Sequence, residues 1–106
     1  MNVILHVPDK ARIKNAFSNA KNFIQDIVEQ RDVLLVFNAD AVKEVINMEL
    51  PEELVNASVV KFLLCNNTLK ASDIDHRHLP ERFTVIPAAI TYIVQQQALG
   101  AYYIRP

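Results

Sequence analysis

One side chain in this sequence can act as a soft nucleophile: Cys65, the sole cysteine. The thiolate is the reactive form of a cysteine, so what matters is whether its surroundings favour ionisation. Cys65 follows a run, residues 59–64, that is apolar except for Lys61, and precedes Asn66-Asn67-Thr68. This is the pattern of a strand that ends at the sulfur, with a helix starting just beyond it. The first N–H groups of such a helix have no partner within the helix and carry the positive end of its dipole, and both effects stabilise a thiolate. Asn67 and Thr68 add side-chain donors. His6 and Asn38 end two other apolar runs. His6 is read either as a base for the thiol, if the first and third strands are neighbours, or as a structural histidine. Asn38 is read either as a binding residue or as a turn residue. Cys65 has its own bland reading, as one more small hydrophobe at the end of a buried strand.

Other constellations point to less. Asp75-His76-Arg77-His78 offers a carboxylate and two imidazoles, but residues adjacent in a loop seldom converge, and a closed metal site needs three or four placed ligands. A solvated loop and no metal site are expected. A single cysteine permits neither an internal disulfide nor a CxxC pair. Gly100 is the only glycine, so the glycine-rich phosphate loops of dinucleotide-binding and P-loop proteins are excluded. No serine sits in a nucleophile elbow, which needs flanking glycines. Charged residues make up 22% of the chain, the net charge is -1, and the basic residues form no stripe. No nucleic-acid partner is therefore expected. No apolar run approaches the ~20 residues that span a bilayer, and no signal peptide is read at the N-terminus. A lone free thiol suits a reducing compartment, so a cytoplasmic location is expected.

The elements that would hold these residues follow from hydrophobic spacing. A short apolar run to Val7 reads as a buried strand, stopped by Pro8, with Asp9 as a helix cap. Ile13, Phe17, Ala20, Ile24, Ile27 and Val28 recur at helical spacing and predict a first helix over 10–30. Residues 33–37 are continuously apolar, as in a strand covered on both faces. Asp40 would cap a second helix carrying Val42, Val45 and Ile46. Pro51 would open a third, with Leu54 and Val55 inward. After the strand ending at Cys65, Asn66-Asn67-Thr68 would cap a short helix reaching about residue 73. Residues 75–82 read as a loop and 83–86 as a fourth strand. Pro87 opens a last helix with Ile90, Ile93, Val94 and Ala98 on one stripe, Gly100 ends it, and 101–104 form a final strand. Tyr102 and Tyr103 would point to opposite faces, read either as one buried and one at a subunit contact or as both in the core. The order βαβαβαβαβ predicts one α/β domain over 1–106. It would have three layers: a mostly parallel five-stranded sheet with helices on both faces, of flavodoxin-like or YchN-like type.

Cys65-Asn66-Asn67-Thr68-Leu69 resembles the Cys-x-Asn-Thr-Leu motif of small DsrE/DsrF-like proteins, which have the YchN-like fold. Residues 3–6 before Pro8-Asp9, Asn38-Ala39-Asp40-Ala41-Val42, and Gly100 through Tyr103-Ile104-Arg105-Pro106 resemble that family's segments in order and spacing, so the likeness spans the chain. It departs at two turns. Asn38-Ala39 stands where Asn-Gly is common, and Pro87-Ala88-Ala89 where Pro-Ser-Gly is common. The second change removes a hydroxyl and a bare backbone from that corner, which argues against a polar anion pocket there.

The resemblance implies that Cys65 carries sulfane sulfur as a persulfide in sulfur relay, with Asn67 and Thr68 shaping the loop around it. It also implies a homo-oligomer, a trimer or hexamer, exchanging sulfur with donor and acceptor proteins. Such exchange needs one cysteine and no cofactor, because the exchange partner supplies the second sulfur. The same residues leave a second function open: a non-catalytic oligomeric module that binds a small ligand or a partner protein at the same strand-end edge. A third reading is a thiol redox sensor.

Overall fold

The computed structural model describes residues 1–106. Five strands, β1 Asn2–Val7, β2 Asp32–Phe37, β3 Val60–Cys65, β4 Phe83–Ile86 and β5 Tyr102–Ile104, form one sheet in the order β4-β3-β2-β1-β5. Every pairing is parallel. The helices are α1 Ile13–Asp26, α2 Ala41–Val45, α3 Glu52–Val55, α4 Asn66–Ala71 and α5 Ala89–Ala98. The predicted fold class is therefore the observed one: an α/β sheet with helices on both faces.

Topology decides which helix covers which face. From β1 to β4 each strand lies beside its predecessor, so right-handed crossovers put α1 to α4 on one side. Their inward residues, among them Phe17, Val42, Leu54 and Leu69, join Val3, Leu5, Leu35, Phe37 and Leu64 in a core of 19 buried residues. To reach β5 the chain reverses direction across the sheet, and the same handedness rule then puts α5 on the opposite side. Ala89 and Ile93 of α5 pack there on Ile4, Leu34, Val36, Leu63, Cys65 and Ile86. Alternate residues of each central strand thus enter alternate cores, as the pleat requires.

Several expectations from spacing change. His6 was to meet Cys65 if β1 and β3 were adjacent; β2 lies between them. A short 3₁₀ turn, Lys10–Arg12, precedes α1, and Asp9 Oδ1 accepts from the Ala11 N–H at 2.9 Å, so Asp9 does cap this start. The helix stops at Asp26 rather than Gln30, leaving Val28 exposed. Asp40 and Asn66 make no side-chain cap; the N-cap position of α4 is Cys65 itself. Along α5 the packing face runs through Ala89 and Ile93, which turns Ile90 and Val94 outward, each about 60% exposed. Tyr102 and Tyr103 are both exposed on β5, an edge strand.

α4 has six residues, too few to hold a helix by itself. It is kept in place by Leu69, which is fully buried and contributes roughly 2 kcal/mol through that burial. At the other end of the chain, Gly100 takes φ +102°. The N–H of Ala101 returns to the carbonyl of Gln96 and that of Gly100 to Gln97, which is a Schellman stop for α5. Ala39 also lies in the left-handed region, at φ +52°, where a Cβ costs an L-residue about 1–2 kcal/mol.

Two substitutions of opposite sign test this backbone account by chemical denaturation. Ala39→Gly raises unfolding stability by about 0.5–1 kcal/mol, the strain released less the entropy of glycine. Gly100→Ala lowers it by about 1–2 kcal/mol through φ alone, since a Cβ there meets nothing within 4 Å.

Candidate functional site

The reversal that sends α5 across the sheet also creates the one place where neighbouring strands discharge to opposite faces. β3 leads to α4 on one side, β4 leads to α5 on the other, and Cys65 pairs with Ile86 at their common end. Ligands of open α/β sheets bind outside the carboxyl ends of strands at such a switch point.

Both helix starts address the sulfur. The Ala89 N–H, from the first residue of α5, donates to Cys65 Sγ at 3.3 Å. From α4, the N–H groups of Thr68 and Asn67 and the Thr68 hydroxyl favour the thiolate electrostatically, while the Ala89 contact is the one hydrogen bond to the sulfur. The Thr68 hydroxyl oxygen accepts the Ala39 N–H at 3.1 Å, which fixes this side chain at the turn after β2 and leaves its proton free to donate. Burial pushes the Cys65 thiol up, but the four donors outweigh it and hold the thiol below its ordinary value of 9.0. The corner built by Pro87-Ala88-Ala89 therefore supplies its contact through the backbone and does not depend on a serine hydroxyl. Cys65 remains only 5% exposed in the single chain, lying beside Leu63, Ile86 and Ile93.

His6 and Asn38 meet each other, not the sulfur. His6 Nε2 and Asn38 Oδ1 are 3.0 Å apart, and His6 Nδ1 lies 2.7 Å from the Tyr103 hydroxyl. An amide oxygen accepts only, so Nε2 carries the proton, and Nδ1 accepts from the tyrosine. Burial depresses the His6 pKa, the Asn38 bond partly restores it, and the Arg105 charge depresses it further, to below 6.5 overall. A neutral ring with both nitrogens satisfied ties β5 to β1 and β2. Tyr103 was missed as a partner because its link to His6 spans 97 residues of sequence; the register that sets Tyr103 opposite Ile4 is not written in local spacing.

The loop at 75–82 contains a 3₁₀ turn, His76–His78. Asp75 is paired with Arg77 at 2.7 Å, and His76 Nε2 bonds to Asn66 Oδ1 at 2.6 Å, so these groups face separate partners. No three His, Cys, Asp or Glu side chains cluster as metal ligands. No helix is long and apolar enough to cross a membrane.

What fold and site define is an all-parallel α/β protein with a buried, acidified thiol at its switch point. The chain is similar to a solved protein of unknown function, MTH1491 from Methanobacterium thermoautotrophicum, with 30% identity and a TM-score of 0.84, over 99% of this chain and 98% of that one. The chain belongs to the same family as that protein. No family model matches the chain, and neither does any curated protein.

Two measurements test the electrostatics. The rate of Cys65 alkylation by iodoacetamide rises with pH to a midpoint below 9.0. Thr68→Val moves that midpoint upward and Thr68→Ser restores it, whereas an unmoved midpoint in the valine variant would remove the hydroxyl from the account. For His6, the unfolded chain takes up its proton first as pH falls below 6.5, so stability is full above that pH and declines as pH drops through the folded-state value. Urea midpoints at a series of pH values fall on acidification in this window, and His6→Gln flattens that part of the slope.

Proposed function

We propose that this protein carries sulfane sulfur as a persulfide on Cys65, as a sulfur-relay protein of the kind its cysteine motif resembles in the DsrE/DsrF-like family. The observation that supports this reading is the Ala89 N–H donating to Cys65 Sγ at 3.3 Å on a sulfur that also stands at the N-cap of α4, with its thiol held below the ordinary value. A thiolate is needed at two moments. On loading, Cys65 Sγ⁻ attacks the outer sulfur of a donor persulfide R–S–SH. The Sγ–S bond forms, the donor's S–S bond breaks, and R–S⁻ departs to take a proton from water. On unloading, an acceptor thiolate attacks the outer sulfur held on Cys65, and Sγ⁻ is the leaving group, stabilised by the same N–H donors. No cofactor enters either step. Such a cycle requires a reducing compartment, in keeping with a cytoplasmic site of action.

The alternative, an oligomeric module without sulfur chemistry, draws on a different observation. Ile90, Val94 and Leu99, together with Tyr102, Tyr103 and Ile104 of the edge strand, are all exposed. Scattered apolar residues are ordinary, but a grouped set marks an interaction surface. A homo-oligomer, trimer or hexamer, accommodates both readings.

Incubation with a persulfide donor followed by intact-mass spectrometry separates them. A gain of about 32 mass units, one sulfur atom, that is removed by cyanide and absent from Cys65→Ser is the expected result. No mass gain under conditions where iodoacetamide labels the thiol overturns the sulfur-carrier reading and leaves the module.

A further inference from the structure

His6 is the one polar side chain in the core, and neither loading nor unloading of the sulfur gives it a part. The pleat decides which face of the sheet it shares. His6 pairs with Val36 and stands two positions after Ile4, so it points to the face that α5 covers. Asn38, two positions after Val36, reaches the same face, where its Oδ1 lies 3.0 Å from His6 Nε2. Cys65 is on that face too. The last pair between β2 and β3 is Phe37–Leu64. The next position sets Asn38 beside Cys65, with Cα atoms about 5 Å apart, the spacing of neighbouring strands. Asn38 thus stands between His6 and the sulfur. A side-chain amide carries its oxygen and nitrogen on opposite sides of the Cβ–Cγ bond. Oδ1 faces β1, where it accepts from His6, so Nδ2 faces β3 and Cys65. Tyr103 holds this arrangement from the far side, its hydroxyl 2.7 Å from Nδ1 and donating to it. Nδ2 has no acceptor within the chain and makes no bond to Sγ, whose one hydrogen bond comes from Ala89.

We infer that Asn38 binds the sulfur in transit: its Nδ2–H donates to the outer sulfur of a persulfide on Cys65, and His6 and Tyr103 are positioning residues that keep the amide turned that way. The inference rests on the sulfur-carrier reading and assigns a residue to its loaded state. The added sulfur stands about 2.05 Å beyond Sγ. Ile86 of β4 and Ala89 of α5 flank Sγ, which leaves the β2 side, where Asn38 stands, for the new atom. Loading delivers Cys65 as S–SH; its proton passes to water, and the outer sulfur carries the charge that the amide N–H meets. A hydrogen bond to a charged acceptor is stronger than one to a neutral acceptor, so the amide favours the ionised persulfide over its protonated form. The unloaded thiolate gains nothing from Asn38, because Nδ2 makes no bond to Sγ.

Ionisation of Cys65 is measured twice, unloaded and loaded. Inorganic polysulfide loads the sulfur. The pH dependence of alkylation by iodoacetamide, read by intact-mass spectrometry, then gives one midpoint for the thiol and one for the persulfide. Asn38→Ala raises the persulfide midpoint by about one pH unit, the loss of one hydrogen bond to a charged group, and leaves the thiol midpoint unchanged. Tyr103→Phe, which removes one hydroxyl remote from the sulfur, raises the persulfide midpoint in the same direction by less, and it decides alone if Asn38→Ala does not fold. A shift shared by thiol and persulfide overturns the inference, since a mere tie between strands disturbs both states together. If polysulfide loads Cys65 and the persulfide midpoint is the same in the wild type and both variants, Asn38 does not hold the sulfur and the carrier reading stands. If polysulfide leaves wild-type Cys65 unloaded while iodoacetamide labels it, both readings fall together.

Discussion

The handedness of the crossover connection governs this molecule. Three successive steps to the same side place four helices over one face of the sheet. A single step back to the far edge places the fifth over the other. Because that reversal occurs after β4, the gap between the ends of β3 and β4 is flanked by two helix starts on opposite faces. A cysteine at the end of β3 receives N–H groups from both. In most folds a helix start offers a buried thiol one set of backbone donors; here the chain path supplies a second, from residues more than twenty positions further along. The acidity of Cys65 is in this sense a topological property, and the side chain of Thr68 refines it.

How much of this could be read from residue order alone follows from the range of each interaction. The strand ending at Cys65, the strand at 83–86 and the glycine stop of α5 were legible, because apolar runs, Pro87 and Gly100 act within a few residues of themselves. The donors of α4 were legible for the same reason: Asn67 and Thr68 follow the cysteine directly. What local spacing does not encode is strand order. The placement of β2 between β1 and β3 took His6 away from the sulfur and gave it to Asn38 and Tyr103. Nor did it reveal the Ala89 contact, which needs the tertiary approach of α5 to β3. The outward turn of Ile90 and Val94 has a similar origin: helical spacing gives two apolar stripes on α5, and only the position of the sheet beneath selects Ala89 and Ile93.

His6 shows how a polar residue can be structural without being inert. Its ring is almost wholly enclosed, yet both nitrogens are satisfied, so burial costs little while the ring stays neutral. The bond to Tyr103 is the only side-chain hydrogen bond from β5 to the rest of the sheet, and β5 contributes only three paired residues. The edge strand is therefore secured by a short ladder and one imidazole.

The Ala89 N–H has a consequence for timing. The helix that donates it is also the only helix over that face of the sheet, so one body both shields the sulfur and supplies its hydrogen bond. With α5 seated, Cys65 is a good departing group and a guarded one. With α5 lifted, the sulfur is reachable, loses a donor and becomes intrinsically the stronger attacker, since nucleophilicity rises with basicity. A single rigid-body displacement would thus interconvert the two roles that a group carried on sulfur demands of its carrier.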